Sequence, residues 1–250
     1  MMYWVWVLTL GSVGVVSTLS LIGVFTLLSN RELQKGVLLH LVSFSVGGLF
    51  GGAFFHLIPE AIENSGFTLN VSVYILLGII VSFLVERCLK WRHCHVPTSD
   101  EHPHPFAYVN LLGDAVHNAI DGMVIGGSYL ASASMGLATT VAVCLHEIPQ
   151  EIEDFGVLLY AGFNRRTTLI YNLLTALMAF VGAAVSLVLS AYINGITTFL
   201  IPFTAGNFIY IAGSDLIPEL HSEEQLFPIL GQLSAMILGI AFLFVVRLVT

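Results

Sequence analysis

The 250-residue chain is 56% hydrophobic, only 10% charged and carries a net charge of −8, with a mean hydropathy of +0.89. Soluble domains have about 25% charged residues, so this composition excludes an ordinary soluble protein and predicts an integral, multi-pass membrane protein. Its excess of carboxylates excludes nucleic acid as a partner and points to cations. Three scattered cysteines, Cys88, Cys94 and Cys144, make no disulfide framework.

Apolar runs separated by polar or glycine-containing breaks predict eight spans, at 3–29, 37–60, 70–91, 107–130, 135–161, 168–192, 197–219 and 227–248. The first begins without a basic n-region and is long enough to span, so no cleavable signal peptide is expected. Arg31, Lys35, Arg87, Lys90, Arg92, Arg165 and Arg166 fall on one side and only Arg247 on the other, which places both termini outside the cytoplasm. The whole chain reads as one transmembrane domain: three helices over 1–91, a cytoplasmic loop over 92–106, a central pair over 107–161 and three helices over 168–250.

Span 2 carries Gly47-Gly48-Leu49-Phe50-Gly51-Gly52, and span 4 carries Gly122 and Gly126; small residues at these spacings let helices approach closely. Span 2 ends in His56-Leu57-Ile58-Pro59-Glu60 and span 7 in Asp215-Leu216-Ile217-Pro218-Glu219. These helices run in opposite directions under the topology above. That echo predicts an inverted repeat in which spans 1–3 match spans 6–8 around the central pair. His56, Glu60, Asp215 and Glu219 then lie at opposite membrane surfaces, as pathway or gate residues. The alternative is that they are ordinary helix-end groups.

The loop between spans 3 and 4 contains His93, His95, His102 and His104 with Asp100 and Glu101. Dense imidazoles and carboxylates can chelate metal without a fold, so the loop reads as an auxiliary cytoplasmic metal binder. A solvated linker is the alternative. His221, Glu223 and Glu224 fall on the same side, either collecting released metal or forming a polar turn. His40 reads as a packing residue.

Spans 4 and 5 hold the chemistry. Each places metal-capable side chains near its middle, where an uncompensated ion costs at least ~2.5 kcal/mol. His117 and Asp121 lie one turn apart on one face, as do His146 and Gln150, while Glu147 and Glu151 form a second stripe about 100° round. Two neighbouring helices can therefore converge on one cation. Pro149 leaves the Leu145 carbonyl without its N–H donor, and that oxygen is expected to face the site too. Asp114, one turn before His117, is a supporting or pathway residue, with helix packing as the rival role.

His117-Asn118-x-x-Asp121-Gly122 and His146-Glu147-x-Pro149-x-Glu151-x-x-Asp154 resemble the fourth- and fifth-helix signatures of the ZIP (Zrt/Irt-like) metal transporters, in particular the LIV-1-like branch and its bacterial relatives. The span 2 and span 7 endings, the eight spans and the histidine-rich loop match as well. The resemblance implies an all-α, eight-helix 3+2+3 bundle moving divalent metal into the cytoplasm. Zn²⁺ is the first candidate substrate, with Fe²⁺, Mn²⁺, Cd²⁺ and Co²⁺ open. It further implies a bacterial inner membrane, a surrounding lipid bilayer and a homodimer as one assembly. By position His117, Asp121, His146 and Gln150 would hold a primary metal, and Asn118, Asp121, Glu147 and Gln150 a second; Glu151 matches the motif but lies one residue off this set.

Two departures stand out. Gln150 occupies the place of a histidine or a bridging glutamate, and a neutral amide bridges two cations poorly. Glu153 replaces a glycine, beside Asp154. The rival from another class is an intramembrane zinc-dependent hydrolase, because His146-Glu147-x-x-Gln150 resembles His-Glu-x-x-His. It lacks the second histidine, and Pro149 distorts the regular turn such chemistry needs, so the expectation is a protein that is not an enzyme.

Overall fold

The computed structural model describes residues 2–22, 31–90, 105–193, 195–220 and 226–249, and these are helical with short connections. In order the helices are α1 (Met2–Thr18), α2 (Arg31–Gly51), α3 (Ile58–Ser65), α4 (Leu69–Lys90), α5 (Pro105–Ala131), α6 (Ala133–Tyr160), α7 (Arg165–Ala176), α8 (Met178–Tyr192), α9 (Thr197–Tyr210), α10 (Ile217–Leu220) and α11 (Leu226–Val249). Helices run through the predicted spans, with residues 23–29 of the first lying outside the described residues. Among the described residues five stretches, against the eight expected, are long and apolar enough to cross a membrane by length and composition: Tyr3–Ile22, Leu39–Ser65, Leu69–Arg87, Arg165–Tyr192 and Pro228–Leu248.

The breaks within these stretches have local causes. Between α2 and α3 the chain widens into a π-turn, Gly52–Leu57, and between α9 and α10 into another, Ile211–Leu216. Each closes with an N–H reaching five residues back, Ile58 to the Ala53 carbonyl and Ile217 to the Ala212 carbonyl. A proline follows directly in both cases, at 59 and 218. Proline donates no hydrogen bond and crowds the preceding turn; a wider turn relieves that crowding, and such turns recur at functional sites. The single span expected over 168–192 is interrupted at Leu177 (φ −67°, ψ −15°). The Thr175 hydroxyl donates to the Tyr171 and Asn172 carbonyls at 3.1 and 2.8 Å, and such back-bonding bends a helix.

Three helix pairs touch backbone to backbone through glycines on both partners. A Cβ at Gly47 would strike the Met236 carbonyl, and one at Gly239 the Phe44 carbonyl, joining α2 to α11. Gly78 and Gly206 do the same for α4 and α9, against the Phe203 and Ile75 carbonyls. Gly122 and Gly182 do so for α5 and α8, against the Ala179 and Ala119 carbonyls. The three paired interfaces are among the most extensive in the protein.

Helices α5 and α6 sit in the middle. α5 meets α8, α6, α7, α9 and α1, while α6 meets α2, α1 and α7 as well as α5. Only Ser132 separates α5 from α6; its backbone is extended (φ −162°, ψ 160°) and its hydroxyl caps α6 by accepting from the Met135 N–H at 3.1 Å. Polarity runs opposite to a soluble protein. Leu76, Ile80 and Leu84 on α4 and Leu233, Ile237 and Leu238 on α11 are exposed, while Asp121, Asn118, His146, Glu147 and Glu151 are buried.

Candidate metal centre

α5 contributes His117 and Asp121, one turn apart, and α6 contributes His146 and its neighbour Glu147. One ligand-capable atom from each lies within 4.8 Å of the others. His146 Nε2 is 2.9 Å from Asp121 Oδ2, and His117 Nε2 is 3.3 Å from His146 Nε2. Glu147 Oε1 stands 3.6 Å from both imidazole Nε2 atoms, and Asp121 Oδ2 stands 3.6 Å from His117 Nε2. Asp121, His146 and Glu147 are at most 1% exposed; His117, at 22%, is the open member.

The ring of His146 is oriented by its own helix. Nδ1 lies 3.2 Å from the Ala142 carbonyl, which can only accept, so Nδ1 carries a proton there and Nε2, now hydrogen-bonded to Asp121 Oδ2, is the nitrogen that would meet a cation. Two carboxylates and two imidazoles then present two negative charges and two nitrogen donors in a dry cleft. Asp121 Oδ1 and Glu147 Oε1 have no hydrogen-bond partner among the described residues. Buried acceptors of this kind call for a cation, and the donor set suits a borderline ion.

The other predicted residues fall into several groups. Asn118 is fully buried and donates its amide to Asp114 Oδ1 at 2.7 Å and to the Asp114 carbonyl at 3.1 Å. Glu151, one turn beyond Glu147, accepts from the Asn172 amide of α7 at 2.6 Å and is outside the four-residue cluster. Gln150 is half-buried on α6. His56 is buried, with Nε2 3.0 Å from the Leu243 carbonyl of α11; Glu60 accepts from Asn64 at 3.0 Å. His40 is exposed, close against Gly231 of α11. The side chains of Glu153, Asp215 and Glu219, and all of His93, His95, His102, His104, His221, Glu223 and Glu224, lie outside the described residues.

One expectation is corrected. The Leu145 carbonyl freed by Pro149, expected at the metal site, instead accepts from the Ser45 hydroxyl of α2. Sequence reasoning also passed over Asn172, Asn110 and Ser45. A lone buried amide in the apolar run of α7 was a usable signal for Asn172. Ser45 gives none, since serine is common in helix contacts.

The ZIP Zinc transporter family model matches residues 4–107 and 95–247. Zinc transporter zipt-7.1 of Caenorhabditis briggsae is 31% identical over 277 residues, covering 84% of this chain and 71% of the relative. The zinc transporter ZIP13 homolog of Drosophila melanogaster is 31% identical over 272 residues, covering 83% of this chain and 77% of the relative. Human zinc transporter ZIP10 is 40% identical over 176 residues, covering 64% of this chain and 21% of the much longer relative. These relatives are animal proteins, so the expected bacterial inner membrane draws no support from them. All three are named as transporters, and the hydrolase alternative finds nothing to rest on.

Proposed function

This chain belongs to the ZIP zinc transporter family, and from that premise we propose that it carries divalent metal, zinc first, across a membrane into the cytoplasm through His117, Asp121, His146 and Glu147. It is an integral, multi-pass membrane protein and not an enzyme. The carrying observation is the cluster: four ligand atoms within 4.8 Å of one another from two adjacent central helices. Two carboxylates balance the charge of a divalent ion, which lowers the cost of holding it away from water. Asn118, Gln150 and Glu151 serve as adjoining ligands. Because Gln150 is neutral, one ion dominates the cluster. Fe²⁺, Mn²⁺, Co²⁺ and Cd²⁺ compete with zinc, since such ligands do not sort these ions by affinity alone.

The architecture proposed around the cluster is eight membrane spans in a 3+2+3 inverted repeat. Two observations support it. Gly47 and Gly206 each stand twelve residues before the proline that follows a π-turn, and each is paired with a glycine of another span, Gly239 or Gly78. Exchange of spans 2 and 7, and of 8 and 3, turns one contact into the other. Arg247 at the end of α11 meets Glu63 of α3 at 3.4 Å, in keeping with these two ends sharing the non-cytoplasmic surface. His56, Glu60, Asp215 and Glu219 act as gates, Asp114 lies on the pathway, and the histidines of the loop buffer metal after release. Lipid, or a second copy of the chain in a homodimer, covers the apolar outer faces of α4 and α11.

Uptake of a panel of divalent cations into proteoliposomes tests the reading. Wild-type protein should take up zinc saturably. His117→Ala and His146→Ala should each abolish that uptake while the protein stays folded by circular dichroism. Near-normal uptake by either variant refutes the assignment.

A further inference from the structure

A second set of buried acceptors, which includes the adjoining residues Asn118 and Glu151, lies outside the four-residue cluster. Asp114 on α5 and Glu151 on α6 lie one helical turn, about 5 Å, from His117 and Glu147, toward the N-terminal end of α5 and the C-terminal end of α6, away from the Ser132 connection. Both are buried, at 5% and 1% exposure. Each uses one carboxylate oxygen to accept an asparagine amide: Asp114 Oδ1 from Asn118 at 2.7 Å, and Glu151 Oε2 from Asn172 at 2.6 Å. The remaining oxygens, Asp114 Oδ2, Glu151 Oε1, Asn118 Oδ1 and Asn172 Oδ1, are buried with no hydrogen-bond partner among the described residues. Thr175 of α7 also adjoins Asp114, but its hydroxyl proton is engaged by the Tyr171 and Asn172 carbonyls.

Contacts on either side of the pair, His117 with Glu147 at 3.6 Å and Asn110 with Asp154 at 2.8 Å, set Asp114 and Glu151 on facing turns of α5 and α6. Burying two such carboxyls and two amide oxygens together, each short of a donor, is costly unless something positive joins them. Asn172 shows which way the set is built, since it comes from a third helix and orients Glu151 from outside the α5–α6 pair.

We propose that Asp114, Glu151 and Asn172, with Asn118 steadying Asp114, form a second cation site of oxygen donors alone, which takes the ion from the imidazole cluster on its way to the cytoplasm. The proposal rests on the transport reading and adds a place where the ion stops. Oxygen donors hold a borderline ion such as zinc less tightly than imidazoles do and suit harder ions such as Mn²⁺. The ion therefore steps from a tight site to a looser one, and a path must let its ion leave as well as bind. One further turn on, the Asn110 amide of α5 donates to Asp154 Oδ1 of α6 at 2.8 Å, repeating the pairing of amide with carboxylate.

Mn²⁺ binding to the purified full-length protein, followed by electron paramagnetic resonance, tests this without relying on transport. With the imidazoles removed in His117→Ala/His146→Ala, Mn²⁺ should still bind, and adding Asp114→Asn and Glu151→Gln should weaken it about tenfold or more. Absence of Mn²⁺ binding in the folded histidine variant, or binding indifferent to the two carboxylates, overturns the proposal. Should the histidine variant fold poorly, zinc uptake by Asp114→Asn/Glu151→Gln decides instead. A maximal rate reduced about tenfold with KM unchanged supports a release site, and an unchanged rate overturns it. No saturable uptake by wild-type protein would instead sink the transport reading, a separate outcome.

Discussion

A proline at position 149 removes one hydrogen-bond donor from α6 three residues after His146, and another helix fills the gap. The Ser45 hydroxyl of α2 donates to the Leu145 carbonyl and also to Leu41 at 2.9 Å in its own helix. Removing that hydroxyl strands a carbonyl in the apolar interior, which costs about 1–3 kcal/mol. Ser45→Ala should therefore lower the thermal unfolding midpoint in detergent. It should also weaken zinc binding, because Leu145 directly precedes the ligand His146, and calorimetric titration would register both shifts or show neither. Much of the site is legible in the sequence at this scale: His117 and Asp121 are a turn apart, and His146 and Glu147 are an imidazole and a carboxylate embedded in an apolar run. The partners of these groups are not. The oxygen freed by Pro149 could be assigned to the metal or to a neighbouring helix only by knowing which helix lies alongside. Glu147 and Glu151 share a stripe on α6, yet one reaches the imidazoles and the other is held by Asn172, a division that depends on where α7 packs.

Between elements, contact is closest where glycine faces backbone on both sides. At the α5–α8 pair, Gly122 follows the ligand Asp121 and Gly182 meets the carbonyl of Ala119, which lies between the ligands His117 and Asp121. An added methyl at Gly182 has only backbone to press on, so α8 must move away or α5 must bend; forcing extra atoms into such a contact costs about 1–3 kcal/mol. Gly182→Ala should lower thermal stability and zinc affinity together although it touches no ligand. Gly156, whose added Cβ would meet nothing within 4 Å, provides the control, and Gly156→Ala should leave both nearly unchanged. The sequence shows Gly122 as a packing position, but it does not pair it with Gly182, since small residues abound in such helices. The break at Leu177 escapes notice for a related reason: Thr175 reads as an ordinary polar residue until its hydroxyl is seen to hold two carbonyls.

For the whole molecule, the all-helical character is legible because long apolar runs bounded by polar breaks leave the chain little alternative. The arrangement of those rods is less legible, since lipid-facing and buried faces are both apolar. Orientation is open to direct measurement. With Cys88 and Cys94 replaced by serine, a membrane-impermeant maleimide added to right-side-out vesicles should label Ser65→Cys and spare Arg166→Cys, and inverted vesicles should reverse the pattern. Labelling of both from one face would refute the topology. The glycine pairs and the Ser45 contact together divide the ligands between two bodies. His117 and Asp121 sit on α5, which is joined to α8 by Gly122 and Gly182, whereas His146 and Glu147 sit on α6, which Ser45 joins to α2 and, through Gly47 and Gly239, to α11. The two ligand pairs belong to a hairpin whose only connection is Ser132, at the end away from Asp114 and Glu151. Splaying that hairpin would convert a four-toothed chelator into two separate two-toothed ones. The denticity available to the ion, and with it the chelate advantage, becomes a mechanical coordinate set by the angle between two helices.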